Sequence, residues 1–188
     1  MSQQVVDGVH KNEPSENLQR GTPANHNPRK FQVWTSMMQR SIQTAQNISA
    51  PEYQTKHLRM LDELNAGVLE GLTCDEVKDF YADWYSHRQM DKFHSRYPGT
   101  AGEGYFDVTN RLKAVILRVE SETDHVLLIS GLAVTRILLA YFKRLHSEDI
   151  VDLHVPLGTL HVLEPKPYGV EDRIYVYNSA TEWFDLKE

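Results

Sequence analysis

The chain has 188 residues, with 20 Lys and Arg against 26 Asp and Glu and a net charge of −6 at pH 7. Its length and 40% hydrophobic content suit one globular domain with an ordinary core. The acidic balance argues against a nucleic-acid or anionic-membrane binder, and no apolar run approaches the ~20 residues of a bilayer-spanning helix. The single cysteine, Cys74, can form no internal disulfide and no charged-then-apolar leader opens the sequence, so a cytoplasmic, reducing setting is expected.

Residues 1–30 are rich in Ser, Gln, Asn, Pro and Gly, with little apolar patterning beyond Val5, Val6 and Val9. They are expected to form a disordered or degenerate N-terminal segment, and residues 31–188 one folded domain. That domain opens with the β-prone run Phe31-Gln32-Val33-Trp34-Thr35. Met37, Met38, Ile42 and Ala45 follow at helical spacing, so a strand leads into a helix. Thr73 and Glu76 make a capping-box pattern that predicts a helix over about residues 74–87, with Val77, Phe80, Tyr81 and Trp84 on one apolar face. After Tyr97-Pro98-Gly99, a stripe of Val108, Leu112, Val115, Ile116 and Val119 predicts a helix over about residues 105–120.

His125-Val126-Leu127-Leu128-Ile129-Ser130 is apolar without alternation, the pattern of a central strand covered on both faces. It runs through Gly131 into a predicted helix over about residues 133–145. Two strands, near residues 159–163 and 173–177, flank the turn Pro165-Lys166-Pro167-Tyr168-Gly169. Alternating strands and helices predict an α/β three-layer sandwich.

Ligands of such sheets sit beyond the carboxyl ends of the strands, which directs attention to two strand-to-helix corners. In Thr35-Ser36-Met37-Met38-Gln39-Arg40, hydroxyls and backbone N–H groups are expected to face the site, with Arg40 offering a fork for phosphate. The second corner is Ser130-Gly131-Leu132-Ala133-Val134-Thr135-Arg136. Arg136 opens an otherwise apolar helix, where an unpaired buried cation is costly, so an anion is expected beside it. Arg88 and Lys92, four residues apart, suit either a ligand or the C-terminal dipole of their helix. The nine histidines form neither an HExxH pattern nor a Cys/His knuckle, so no metal and no cofactor are expected. Cys74 is read as inert despite its place at a helix start.

Several of these stretches carry a family resemblance. Val33-Trp34-Thr35-Ser36 with Arg40-Ser41-Ile42-Gln43-Thr44-Ala45, Leu61-Asp62-Glu63-Leu64-Asn65-Ala66-Gly67, Arg96-Tyr97-Pro98-Gly99 and Leu138-Leu139-Ala140-Tyr141-Phe142 resemble the bisphosphatase domain of 6-phosphofructo-2-kinase/fructose-2,6-bisphosphatase. Leu163-Glu164-Pro165-Lys166-Pro167-Tyr168-Gly169-Val170-Glu171 is similar to its fungal members. The resemblance runs from about Phe31 to the C-terminus and implies the phosphoglycerate mutase-like fold of the histidine phosphatases, with the first central strand degenerate or missing. In those enzymes a histidine of an Arg-His-Gly motif on the first strand attacks phosphorus, a covalent route that needs cations around the phosphoryl group.

No Arg-His-Gly occurs in this sequence, and the only upstream histidines are His10 and His26. The position matching the second catalytic histidine is Gly131, and the family's following glutamine is Leu132. The resemblance also implies Arg40 in a phosphate pocket and Glu63 as general acid. Around the 6-phosphate of fructose it implies Tyr81, Arg88, Lys92, Tyr105 and Arg136. The family's Gly-Glu-Ser-Tyr is here Gly102-Glu103-Gly104-Tyr105, expected to loosen the loop presenting Tyr105. The family's first strand is expected between the strands ending at Thr35 and Ser130, a place that Gln4-Val5-Val6-Asp7-Gly8-Val9 could fill.

The expectation is therefore a catalytically inactive domain that binds fructose 6-phosphate or fructose 2,6-bisphosphate and regulates fructose 2,6-bisphosphate metabolism, with no nucleic-acid or membrane partner. The alternatives are an active fructose-2,6-bisphosphate 2-phosphatase and a purely structural docking protein. His10 or His26 at the pocket would favour the first alternative, and a pocket plugged by Leu132 the second.

Overall fold

The computed structural model describes residues 31–48 and 53–187; the expectations for residues 1–30, including a replacement strand and the placing of His10 and His26, lie outside them. The run Phe31-Gln32-Val33-Trp34-Thr35 forms β1 (Phe31–Thr35), the middle strand of a three-stranded parallel sheet. On one side β1 pairs with β2 (Tyr53–His57), and on the other with β3 (His125–Ile129), with Phe31 opposite Tyr53 and His125. Val33, Trp34 and Thr35 are wholly buried, as befits a strand with neighbours on both edges.

Two expectations are corrected here. Among the described residues the strand paired on both edges is β1, whereas β3 has one partner strand there and its apolar residues are only half-buried. The strands ending at Thr35 and Ser130 also pair directly, so no gap separates them. A continuous apolar run reports burial of both faces of a strand; it carries no information about neighbours in the hydrogen-bonding direction.

Three layers follow from the alternation along β1. Trp34 joins Val108, Leu112, Val115 and Ile116 of α4 (Tyr105–Ser121) and Val134 and Ile137 of α5 (Leu132–Lys143), with Val126 and Leu128 packed against them. On the opposite face, Val33 and Leu127 stand in register, on the side where α1 (Gln39–Ala45) packs against β1 and β3 with Ser41 and Ala45 buried.

The predicted helix over residues 74–87 is two helices, α2 (Cys74–Phe80) and α3 (Ala82–Met90), broken at Tyr81 with φ −132° and ψ 41°. Its capping box forms: Thr73 Oγ1 accepts the Glu76 N–H at 3.3 Å and the Glu76 carboxylate accepts the Thr73 N–H at 2.8 Å. Of the predicted face, Val77, Tyr81 and Trp84 are half-buried, with Trp84 against the ring of Tyr97 at 4.9 Å, whereas Phe80 leaves it, being 73% exposed. The packing surface of Trp84 is the loop of Arg96 and Tyr97, where Trp84 Nε1 donates to the Arg96 carbonyl at 3.0 Å.

After α6 (Ser147–Ile150), an antiparallel sheet is built from β4 (Thr159–Lys166), β5 (Gly169–Asn178) and β6 (Trp183–Leu186). Pro165 and Lys166 belong to β4 rather than to a turn, leaving Pro167-Tyr168 as a two-residue loop. Pro165 is tolerated because β4 is an edge strand. Lys143 of α5 ties this sheet on through the Asp172 carboxylate at 2.8 Å. Among the described residues no helix is long and apolar enough to cross a membrane.

Candidate functional site

Beyond the carboxyl end of β3, the start of α5 meets two loops, residues 58–70 and 91–104, and one arginine holds those loops together. Arg111 lies on α4 between the buried Val108 and Leu112. Its Nε donates to Glu103 Oε1 at 2.9 Å, Nη1 to the Met60 carbonyl, and Nη2 to the Asp62 carbonyl at 2.6 Å. Glu103 in turn accepts the Asn65 N–H at 3.1 Å, and its own N–H donates to the Asn65 carbonyl at 2.9 Å. Planar donors in a fixed fork suit this task, because several acceptors can be satisfied in one geometry. Arg111 was not singled out from sequence. Its signal there is an arginine beside an apolar stripe, one residue before Leu112.

The loop presenting Tyr105 is correspondingly firm, contrary to the expectation from Gly104. A Cβ at Gly104 would lie 2.8 Å from the Ser95 carbonyl oxygen, so the missing side chain permits a close backbone approach. The Gly104 N–H donates to Asp107 Oδ2 at 2.8 Å, and that carboxylate pairs with Arg96 at 3.0 Å.

Between these loops and α5 lies a cavity of about 210 Å³, lined among others by Glu63, Arg88, Tyr97, Tyr105, Leu132 and Ala133. The Glu63 carboxylate accepts the Leu64 N–H at 2.8 Å and the Ala133 N–H at 3.1 and 3.2 Å. It therefore sits against the first turn of α5, where the helix dipole favours an anion. A Cβ built on Gly131 would lie 2.1 Å from Glu63 Oε2, so the carboxylate occupies the room that a side chain at Gly131 would need.

Arg88 spreads over the ring of Tyr97, 5.0 Å from its centroid, and its Nε is buried without a hydrogen-bond partner among the described residues. Tyr105 is 6% exposed and its hydroxyl accepts from Arg136 Nη1 at 2.9 Å. Arg136 Nε donates to the Leu153 carbonyl at 2.7 Å. No carboxylate among the described residues lies within ion-pair distance of Arg136. The anion expected there is replaced by two neutral acceptors, which suffice because this guanidinium is only partly buried.

Of the residues singled out from sequence, the cavity gathers Glu63, Arg88 and Tyr105, with Arg136 behind Tyr105. Leu132 also lines it, whereas Tyr81, Lys92 and Arg40 lie apart. Tyr81 is half-buried at the break between α2 and α3. Lys92 is bound to Asp152 at 2.8 Å. That ammonium holds the Asp152 carboxyl below the usual carboxylate range, with a smaller contribution from Arg136. Arg40 is exposed on α1.

The corner around Arg40 also departs from expectation. Thr35 and Ser36 are wholly buried. The Thr35 hydroxyl donates to the Ser36 carbonyl at 2.8 Å, and Ser36 Oγ donates to Ser41 Oγ at 2.7 Å. Asp62 accepts the Met37 N–H at 2.7 Å. The hydroxyls are thus spent inside the fold instead of facing a ligand, since buried polar groups must find partners. Among the described residues no three His, Cys, Asp or Glu side chains gather in a way that could hold a metal ion.

A parallel sheet flanked by helices, with a cavity of an arginine and tyrosines at a strand-to-helix corner, is the architecture of an α/β domain whose ligand site lies beyond the carboxyl ends of its strands. A model of the histidine phosphatase superfamily, branch 1, matches residues 22–176, and the chain belongs to that superfamily. It is 46% identical over 154 residues to a probable 6-phosphofructo-2-kinase of Schizosaccharomyces pombe, covering 82% of this chain and 23% of that one. It is 45% identical over 154 residues to 6-phosphofructo-2-kinase 1 of Saccharomyces cerevisiae, covering 82% and 19%. With 6-phosphofructo-2-kinase/fructose-2,6-bisphosphatase 4 of Rattus norvegicus it shares 41% over 157 residues, covering 84% and 32%. The chain thus spans between about a fifth and a third of these relatives' length. The fold is similar to that of the alpha-ribazole phosphatase of Shigella flexneri, with a TM-score of 0.67 and 20% identity over 79% of this chain and 74% of that one.

Proposed function

We propose that this domain binds a fructose phosphate, either fructose 6-phosphate or fructose 2,6-bisphosphate, without hydrolysing it, and acts as a regulatory element of fructose 2,6-bisphosphate metabolism in the cytoplasm. The observation that carries the binding is Arg88. Among the described residues its buried Nε lacks an acceptor, in a cavity that also presents Tyr97 and Tyr105, and a buried donor without a partner calls for one from a ligand. A phosphate oxygen is the acceptor that a guanidinium beside tyrosines suits best.

The absence of turnover rests on Gly131 and Glu63. Where the resemblance calls for a second histidine there is no side chain, and the Glu63 carboxylate fills that space. A carboxylate there repels a transferring phosphoryl group. Glu63 as general acid alone supplies ~10²–10⁴-fold acceleration, far short of what phosphate-ester hydrolysis requires. The two fungal relatives are named for the kinase alone, whereas the rat relative is named for both activities. Leu132 is 45% exposed at the cavity edge and does not plug it, which favours ligand binding over a purely docking role.

Calorimetric titration with both sugars is expected to give micromolar binding that weakens by about tenfold or more in Arg88→Ala, the loss of a charge-assisted hydrogen bond. Flat traces on folded protein would refute binding, and phosphate release near one per second, within the range typical of enzymes, would refute inactivity. A second variant tests the reach of the site. Asp152→Asn frees Lys92 and is expected to tighten binding severalfold at neutral pH. The Asp152 pKa is lowered by Lys92, so the ion pair and the stability it lends persist above the unfolded carboxylate range and fade as pH falls through the lowered value. The difference between variant and parent should close over that same fall.

A further inference from the structure

A second cavity, of about 450 Å³, lies between α4, α5 and α6 and shares no lining residue with the one that holds Arg88. Its floor is apolar and buried: Ile116, Ile137, Ala140 and Ile150 are each at most 7% exposed. Leu117 and Tyr141 form the rim, 66% and 47% exposed. α5 ends at Arg144 in the left-handed conformation, φ 56° and ψ 41°, and the Leu145 N–H returns to the Ala140 carbonyl at 2.9 Å. The chain thereby doubles back and brings Leu145 and α6 against the cleft. Its volume falls within the ~300–1,000 Å³ of small-molecule sites, which are mostly apolar with a few polar groups that set orientation.

The polar groups of the lining are unequally engaged. The Thr109 hydroxyl donates to the Tyr105 carbonyl at 2.8 Å, and the Tyr141 hydroxyl to Glu120 Oε1 at 2.8 Å. Lys113 differs, because its ammonium donates to the neutral Asn110 Oδ1 at 2.9 Å. Among the described residues no carboxylate lies within ion-pair distance of it. Glu120 stands two turns further along α4, ~10 Å away. An apolar cleft with an unmatched cation at one end complements a ligand with an apolar body and an anionic end. We propose that this cleft binds a single-chain fatty carboxylate, with the tail between α4 and α5 and the carboxylate at Lys113. A protein partner fits less well, because the apolar surface stops at the cleft: Asn110, Lys113 and Glu120 along α4, and Arg144 and Glu148 after α5, are exposed around it. A stable protein interface spreads over ~800 Å² per partner around an apolar centre, whereas a slot between two packed helices suits one hydrocarbon chain. This inference rests on the cleft and not on the function proposed above, so either stands if the other fails.

Calorimetric titration of the full-length chain with sodium dodecanoate below its micelle concentration tests it, with dodecyltrimethylammonium as the comparator of equal tail and opposite charge. The expected result is micromolar binding of dodecanoate, about tenfold tighter than that of the cation. Lys113→Glu, at an exposed position, should weaken dodecanoate about tenfold and remove the preference, since an attraction is lost and a repulsion gained, each on the scale of an exposed ion pair. Ala140→Leu fills the floor of the cleft and should weaken dodecanoate by tenfold or more. Should that variant not fold, Leu117→Glu at the exposed rim makes the same comparison from the surface. Flat traces on the parent, equal affinity for the two amphiphiles, or dodecanoate binding unchanged in Lys113→Glu or Leu117→Glu would each overturn the proposal. So would a parent that is dimeric by light scattering and monomeric as Leu117→Glu, which would make a second copy the occupant.

Discussion

Replacing Gly131 with histidine is expected to lower stability by about 1–3 kcal/mol and to leave phosphate release at background. The backbone is not the obstacle: with φ −84° and ψ 179°, this position accepts any residue. The obstacle is Glu63, whose Oε2 and Cδ would lie 2.1 and 2.7 Å from the new Cβ. To make room, the carboxylate must abandon the N–H groups of Leu64 and Ala133, hydrogen bonds of the charge-assisted kind. Urea denaturation of Gly131→His, Glu63→Ala and the double variant measures the conflict. The double variant should be at least about 1 kcal/mol more stable than the two single losses added, as expected of side chains competing for one space. Strict additivity would mean that the two positions do not compete. Adding Leu132→Gln should still give no turnover, because no strand-borne nucleophile is supplied. Rescue to about one turnover per second would place a nucleophile elsewhere in the chain and defeat the proposal of inactivity.

The parts of the fold that were legible in the sequence are those whose burial is periodic. The stripe from Val108 to Ile116 marked α4, and the wholly buried Val33-Trp34 marked β1. β2 was not legible because Tyr53-Gln54-Thr55-Lys56-His57 is exposed at most positions and records no face, and β6 escaped for the same reason. The break at Tyr81 has no proline or glycine to announce it. That β1 is the strand paired on both edges among the described residues was not legible, because an apolar run speaks of faces, whereas pairing is a matter of edges. At the site, Glu63, Arg88, Tyr105 and Arg136 came through the resemblance in their sequence neighbourhoods. The role of Arg111 was hidden because most of its partners are main-chain carbonyls, which any residue carries and no motif displays.

That hidden residue carries the other large effect. Arg111→Met keeps the apolar stem against α4 and removes the fork. It strands the Glu103 carboxylate, whose side chain is 21% exposed, and frees the carbonyls of Met60 and Asp62. Breaking a fully buried pair costs about 3–5 kcal/mol; with roughly a fifth of each side chain still reaching water, about 2–4 kcal/mol is expected here. Arg111→Lys should recover little of it, since one ammonium cannot reach a carboxylate and two carbonyls held apart. Arg111→Met/Glu103→Leu should recover more, because the second change removes the stranded charge. Loss of the fork also separates the loop of Glu63 from the loop of Tyr97, so fructose phosphate affinity should fall by tenfold or more even under conditions where the variant is fully folded. Denaturation and titration together decide the role. A stability loss below about 0.5 kcal/mol, the scale of an ordinary surface substitution, would show that the loops hold their places without Arg111. A large loss with unchanged affinity would show that the cavity does not depend on how the loops are joined.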